Sequence, residues 1–435
     1  MKKILKFLQK QSAPRIIALG FAALILIGSL LLILPFSVKE GVELKYSDAL
    51  YTSTSAVCVT GLVTVDIADT FTPIGQTIVA LLIQIGGLGV ATIGAGIIIA
   101  MGKKVDLKGR TLIREASNLS SGKGIVSFVK NVFVTTVIIE LAGAILSFPV
   151  FLKDFSPLKA VGVSLFHSIA AFNNSGFDIL GSFRSLTAYR DNIYLNLVTC
   201  ILIFFGGIGF LVIREMKDKL VHKIKFSMHS KVVLSVSGAL IVIGTLLIKL
   251  TEKVSWLGAF FCSVSARTAG FSTYSLGSFG TAGLLILMLF MFIGASPGST
   301  GGGIKTSTFF VLLKGIKSAA TNTAEKAFKY AIPKDTFKKA AVIALFGLGV
   351  VLCSTYVLTV LEPQLSLSDA LFEMTSAFGT VGLTTGITTS LSMGSKLLTI
   401  LVMYIGRLGP MTVATLWSFS KGERIGYAEG NIAIG

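Results

Sequence analysis

One composite unit recurs four times along this chain: a long apolar stretch, a shorter half-polar stretch ending at a glycine, and a second long apolar stretch. The apolar stretches run from about Ile16 to Pro35, Ile74 to Ala100, Ile125 to Leu152, Leu195 to Ile213, Val232 to Leu250, Leu284 to Leu313, Ala340 to Leu361 and Leu397 to Trp417. Each can cross ~30 Å of hydrocarbon, which takes roughly 20 residues of helix. Between the members of each pair lie Tyr46 to Gly61, Leu158 to Gly176, Ser255 to Gly270 and Leu367 to Gly382. Lipid cannot satisfy the N–H and C=O groups of non-helical backbone, so such segments at membrane depth must be buried in protein or line a water-filled cavity. Four equivalent segments most simply share one cavity.

The repeat holds residue by residue. SDALYTSTSAVCVTGLVT, beginning at Ser47, and SDALFEMTSAFGTVGLTT, beginning at Ser368, agree at ten of eighteen positions without a gap. The other two units keep the centre, as AFNNSGFD around Gly176 and ARTAGFST around Gly270. A second register lies in the later apolar stretch of each unit: IGGLG from Ile85, FGGIG from Phe205, IGASPG from Ile293 and IGRLG from Ile405. Two spans per unit give all four units the same orientation, so they can surround an axis normal to the membrane. The expected fold is an all-α integral membrane protein of four tandem helix, pore-loop, helix repeats in pseudo-fourfold arrangement around a central pore. The repeats occupy residues 1–101, 102–224, 225–320 and 321–435.

Composition agrees with a bilayer setting: 53% of residues are hydrophobic and 14% charged, which leaves no region for a sizeable soluble domain. A net charge of +18 could suggest nucleic acid, but the cations cluster between the units. Lys2, Lys3, Lys6, Lys10 and Arg15 precede the first span; Lys103, Lys104, Lys108, Arg110, Arg114 and Lys123 follow the first unit. Later connectors carry Arg214, Lys217, Lys219, Lys223 and Lys225, then Lys314, Lys317, Lys326, Lys329, Lys334, Lys338 and Lys339. By the positive-inside rule both termini are cytoplasmic, and the half-polar stretches enter from outside. The first apolar stretch is too long for a signal-peptide core and lacks a cleavage site, so it reads as a retained helix. The four cysteines and three histidines are too scattered for a metal or disulfide framework.

Selective cation conduction replaces the ion's water shell with rings of backbone carbonyls, and glycine takes the required positive φ cheaply. Gly61, Gly176, Gly270 and Gly382 are the candidate ring. With the two residues before each, the candidate filter is Val59, Thr60, Gly61; Asn174, Ser175, Gly176; Thr268, Ala269, Gly270; and Thr380, Val381, Gly382. Helix C-termini aimed at the axis would favour a cation. Ser47 with Asp48, and Ser368 with Asp369, are suited to capping the outer ends of two of these helices. Asp66 and Asp178 either enrich cations at the mouth or are ordinary solvated loop residues.

The loops VCVTGLV, NNSGFD, RTAGFS and GTVGLT resemble those of the Trk/Ktr/HKT superfamily of potassium transporters, and the match covers essentially the whole chain. The KtrB type is the nearer likeness, since the TrkH type carries two additional N-terminal helices. The resemblance implies K⁺ uptake across the plasma membrane, a Na⁺ requirement or influence in some members, and homodimers with one pore per protomer. It also implies regulation by a cytosolic KtrA-like nucleotide-binding ring. Each loop has one glycine where the potassium-channel signature TVGYG has two, so K⁺ preference is expected and strict exclusion of Na⁺ is not.

Ile293 to Thr308, IGASPGSTGGGIKTST, interrupts the second helix of unit three. It reads either as an ordered kink or as a flexible loop obstructing the cavity; the resemblance favours the latter, an intramembrane gate comprising Gly294, Ser296, Pro297, Gly298, Ser299, Thr300, Gly301, Gly302, Gly303 and Lys305. It is not a phosphate-binding loop, because Ile304 separates Gly303 from Lys305 and an apolar helix precedes it in place of a strand. Arg407 stands where Gly87 and Gly207 stand in the other registers. A charge near the bilayer centre costs ~3 kcal/mol or more, so Arg407 is either a positive barrier in the pore, as the resemblance implies, or paired with Glu140 or Glu373. Arg267 would brace the filter from behind, through Glu373. A membrane enzyme would need clustered His, Asp, Glu or Cys, and a carrier for organic solutes more often shows inverted repeats; neither pattern is present. A less selective Na⁺/K⁺ channel is the alternative.

Overall fold

The computed structural model describes residues 11–102, 104–116, 124–333 and 335–416, and for Lys108 the backbone only. Lys2, Lys3, Lys6, Lys10, Lys103, Lys123, Lys334 and the end of the last span at Trp417 lie outside the described residues.

Each unit opens with one continuous apolar helix: Ala13–Leu32, Ile125–Phe151, Met228–Thr251 and Asp335–Leu361. All four are long and apolar enough to cross a membrane, and only about a third of each is buried in the protein. Their outward faces carry Leu26, Ile145, Leu246 and Leu345, all exposed. Polar residues gather inside, among buried apolar ones. Thr52, Ser53, Thr54 and Ser55 of the first short helix have no exposed surface. An apolar exterior with hydroxyl-bearing residues turned inward suits a chain solvated by lipid tails, and the protein is a multi-pass membrane protein.

The half-polar stretches form the short helices Tyr46–Cys58, Pro157–Phe172, Trp256–Ser265 and Leu367–Gly379. Their caps differ from expectation. Lys45, not Ser47, is the first N-cap, without a side-chain bond, and Asp48 pairs with Lys396 of unit four at 2.7 Å. In unit four Ser366, not Ser368, accepts the Asp369 N–H at 3.1 Å. A serine clasp binds each of the first three short helices to the long helix before it. Ser53, Ser168 and Ser263 donate to Ile25, Glu140 and Ile241 carbonyls at 2.7, 2.6 and 2.9 Å. Gly28, Gly143 and Gly244 leave room for those hydroxyls. In unit four Gly347 faces the Phe378 ring instead.

The second span of each unit is not the continuous helix that hydropathy suggests. Pro73–Leu88 and Val90–Ala100 meet at 98°, and Ile193–Ile208 and Phe210–His222 at 104°. The break falls on the last glycine of the register: Gly89 (φ 85°, ψ 137°), Gly209 (φ 90°, ψ 145°) and Gly409 (φ 82°, ψ 145°). Side chains with a Cβ rarely adopt that backbone. Pro410 then begins the helix Pro410–Thr415. In unit three the break is a whole segment between Thr281–Phe292 and Thr306–Thr321, its ends joined by a parallel bridge from Ile293 to Ile304.

The register's first glycine serves packing. A Cβ on Gly86, Gly206 or Gly406 would overlap the carbonyl oxygen of Val57, Phe172 or Phe378, each four residues before a loop glycine. Gly206→Ala should therefore cost about 1–3 kcal/mol, read as a lower melting temperature in detergent. Gly94→Ala, in open space within a helix, should be neutral or slightly stabilising. Equal melting temperatures for the two variants would contradict this packing role.

Candidate functional site

The four short helices end in related turns. In units one, two and four the residue two before the loop glycine is left-handed, and two hydrogen bonds close the helix. Thr60 N–H reaches Ser55 O at 2.8 Å, Ser175 reaches Ala170 at 2.9 Å and Val381 reaches Ser376 at 2.9 Å; Val59, Asn174 and Thr380 bond back three residues. This is a Schellman closure with a non-glycine residue at its left-handed position. Unit three shares the left-handed residue two before its glycine, Thr268, but closes with Ala269 N–H on Ser265 O at 2.9 Å. Val59, Thr268 and Thr380 are β-branched, for which φ values of 58°, 74° and 49° are costly. The chain holds that strain at three of the four loops; in the second, Asn174 takes a φ of 58° at less cost.

The loop glycines then have φ of 93°, 68°, 77° and 93°. A Cβ on Gly61 would meet Ser175 O; on Gly176, Ala269 O; on Gly270, Val381 O; and on Gly382, Thr60 O. Each loop thus abuts the carbonyl before the glycine of the next, and the fourth returns to the first. Serine hydroxyls back two of them, with Gly61 N–H on Ser55 Oγ at 3.0 Å and Gly382 N–H on Ser376 Oγ at 3.1 Å.

The four glycines line a cavity of about 530 Å³. Asp66 and Asp178 also line it; both Asp66 oxygens and one Asp178 oxygen accept backbone N–H bonds. Asp66 accepts from Asp69 N–H and Phe183 N–H at 3.0 and 2.7 Å, and Asp178 accepts from Leu180 N–H at 2.9 Å.

A second cavity, of about 500 Å³, is lined by the unit-three segment, Gly87, Gly89, Lys305 and Arg407. The segment is tied down throughout. Ser296 N–H donates to Gly207 O at 2.9 Å, Thr300 N–H to Gly206 O at 3.2 Å, and Phe210 N–H to Gly298 O at 3.1 Å. Lys305 Nζ donates to Gly301 O and Gly302 O at 2.6 and 3.2 Å. Arg407 bridges three units, donating to Thr300 O in unit three and to Gly86 O and, at 3.2 Å, Gly87 O in unit one. Its hydrogen-bond partners are carbonyls, not Glu140 or Glu373. Glu140 accepts from Asn173 at 2.9 Å, and Glu373 from Thr384 and Thr388 at 2.7 and 2.5 Å. Arg267 likewise does not reach Glu373: it donates to the Ser237 carbonyl and hydroxyl at 3.3 and 3.1 Å, with Nε left unpartnered.

The TrkH model, described as "Cation transport protein", matches residues 15–235 and 226–422. The chain belongs to the TrkH family. Among similar family proteins, the potassium/sodium uptake protein NtpJ of Enterococcus hirae is 37% identical over 98% of this chain and 96% of its own length. The Ktr system potassium uptake protein B of Bacillus subtilis is 36% identical over 100% and 99%, and that of Vibrio alginolyticus 34% over 98% and 96%. The crystal structure of the potassium transporter TrkH from Vibrio parahaemolyticus shares the fold, with a TM-score of 0.73 and 19% identity over 94% of this chain and 86% of that one.

Sequence reasoning missed two groups in this TrkH-family chain. The helix-breaking glycines Gly89, Gly209 and Gly409 were legible as a repeated letter but not as a break, because Gly89 and Gly209 lie in apolar runs; only at Gly409 does a following Pro410 signal one. The clasp serines carry a signal, a serine ahead of each loop and a glycine inside each preceding span, but their pairing spans 22 to 28 residues.

Proposed function

We propose that this chain is the ion-conducting subunit of a potassium uptake system, with four helix, pore-loop, helix repeats (1–101, 102–224, 225–320, 321–435) in pseudo-fourfold arrangement around one pore. The closed order of the glycine contacts, Gly61 to Ser175, Gly176 to Ala269, Gly270 to Val381 and Gly382 to Thr60, carries the reading. Four left-handed turns that meet in a ring can turn their carbonyls inward and replace a cation's hydration shell. Val59 to Gly61, Asn174 to Gly176, Thr268 to Gly270 and Thr380 to Gly382 then act as the filter. The segment from Gly294 to Lys305, held by Arg407, acts as the gate on the cytoplasmic side.

An inside-negative potential of ~100 mV is worth ~2.3 kcal/mol per monovalent cation, enough for roughly fifty-fold accumulation without ATP hydrolysis. The names of the full-length relatives support K⁺ as cargo and Na⁺ as an influence. The Ktr system names support a system with a further, regulatory subunit; in this proposal it is a cytosolic KtrA-like nucleotide-binding ring docking on the basic connectors of a plasma-membrane homodimer. Both termini then face the cytoplasm.

Purified protein in proteoliposomes should take up K⁺ under an inside-negative potential, and Na⁺ more slowly. The second reading, a less selective Na⁺/K⁺ channel, is favoured by the single glycine in each of four non-identical loops; equal K⁺ and Na⁺ rates would establish it. No flux of either ion would end both.

A further inference from the structure

The unit-three segment does more than lie beneath the filter loops. Gly302 donates its N–H to Thr380 Oγ1 at 3.0 Å. Gly301 lies against Thr268 so closely that a Cβ there would overlap the threonine hydroxyl. On the unit-two side, Thr300 Oγ1 is 3.3 Å from Phe172 O, the last carbonyl of the second short helix, and 3.2 Å from Gly206 O. Thr268 and Thr380 are the left-handed residues two positions before Gly270 and Gly382. The segment therefore touches the strained turns themselves.

We propose that Thr380 is a positioning residue that couples this segment to the filter, a conclusion that rests on the filter and gate reading above. While the Gly302 N–H holds the Thr380 hydroxyl, the fourth turn is kept in the left-handed conformation that aims Val381 and Gly382 at the cation. Withdrawal of the segment removes that restraint and leaves a β-branched residue in a conformation it disfavours. Opening the gate thus changes how the filter binds cations. By reciprocity, a cation that fits the filter biases the segment by the same factor.

Unit one supplies the conservative test. Val59 adopts a φ of 58° at the equivalent place, so Thr380→Val removes the hydroxyl while keeping a side chain the turn accommodates. One net hydrogen bond moves an equilibrium about 2- to 12-fold. In proteoliposomes Thr380→Val should raise basal K⁺ flux and shift the half-saturating K⁺ concentration, each within that range. In a chain lacking Ser299 to Gly303 the same substitution should move neither further. Thr380→Ser, which keeps the acceptor, should retain the dependence on the segment. A Thr380→Val shift of equal size with and without the segment would overturn the coupling, as would no shift in the full chain. The gate reading fails separately, if the deletion alone leaves flux unchanged. Wild-type protein gives an independent readout: replacing K⁺ with an impermeant cation should alter deuterium exchange across residues 299–303, and identical exchange in the two conditions would also overturn it.

Discussion

Gly176→Ala or Gly270→Ala should lower K⁺/Na⁺ discrimination about ten-fold or more while the protein still folds. Two penalties act together. The φ values of 68° and 77° cost an alanine roughly 1–2 kcal/mol. The added Cβ would also press on Ala269 O from Gly176 and on Val381 O from Gly270. The atoms displaced are carbonyls proposed to coordinate the ion, so the energy appears as altered ion binding as well as lost stability. Each substitution also crosses a boundary between units, so it should disturb its neighbour's carbonyl along with its own. Rubidium tracer uptake competed by K⁺ or Na⁺ reads the effect. Undiminished discrimination at all four glycine positions would defeat the carbonyl-ring proposal.

Deleting Ser299 to Gly303 should raise basal flux by an order of magnitude or more and make it largely independent of a regulatory subunit. The segment is held in place by hydrogen bonds from and to unit two and by Arg407, and a bond from a charged group is worth about 1.5–3 kcal/mol. Arg407→Gln should also raise flux, because it removes a positive charge from the lower cavity and frees Thr300 O. Both changes break the same bond, so their effects should be less than additive. Full additivity would mean that Arg407 acts as a barrier independently of the segment. Deletion protein that is folded yet as closed and as regulated as wild type would place the gate elsewhere.

The repeat, the apolar spans and the four loop glycines were all legible in the chain, because each is a local pattern: hydropathy over some twenty residues, or one glycine in a fixed string. The unit-three interruption was legible for the same reason, with Pro297 and three consecutive glycines from Gly301. Arg407 could be recognised as unusual because it replaces a glycine of the register, but its partners could not. Sequence pairing favours carboxylates such as Glu140, whereas the fold brings the guanidinium to carbonyls freed where helices break, at Gly86, Gly87 and Thr300.

By itself the sequence determined what must be buried and how often: four equivalent polar segments inside an apolar shell, each turning at a glycine. Only the tertiary structure decided which carbonyl each glycine faces, that Arg267 leans on Ser237 and not on Glu373, and that Gly302 reaches Thr380 across 78 residues. The glycine contacts depend on close approaches that exist only where a Cβ is missing. Hydropathy registers how apolar a residue is; it does not register the empty volume beside a glycine, and in this protein that volume sets where the units touch.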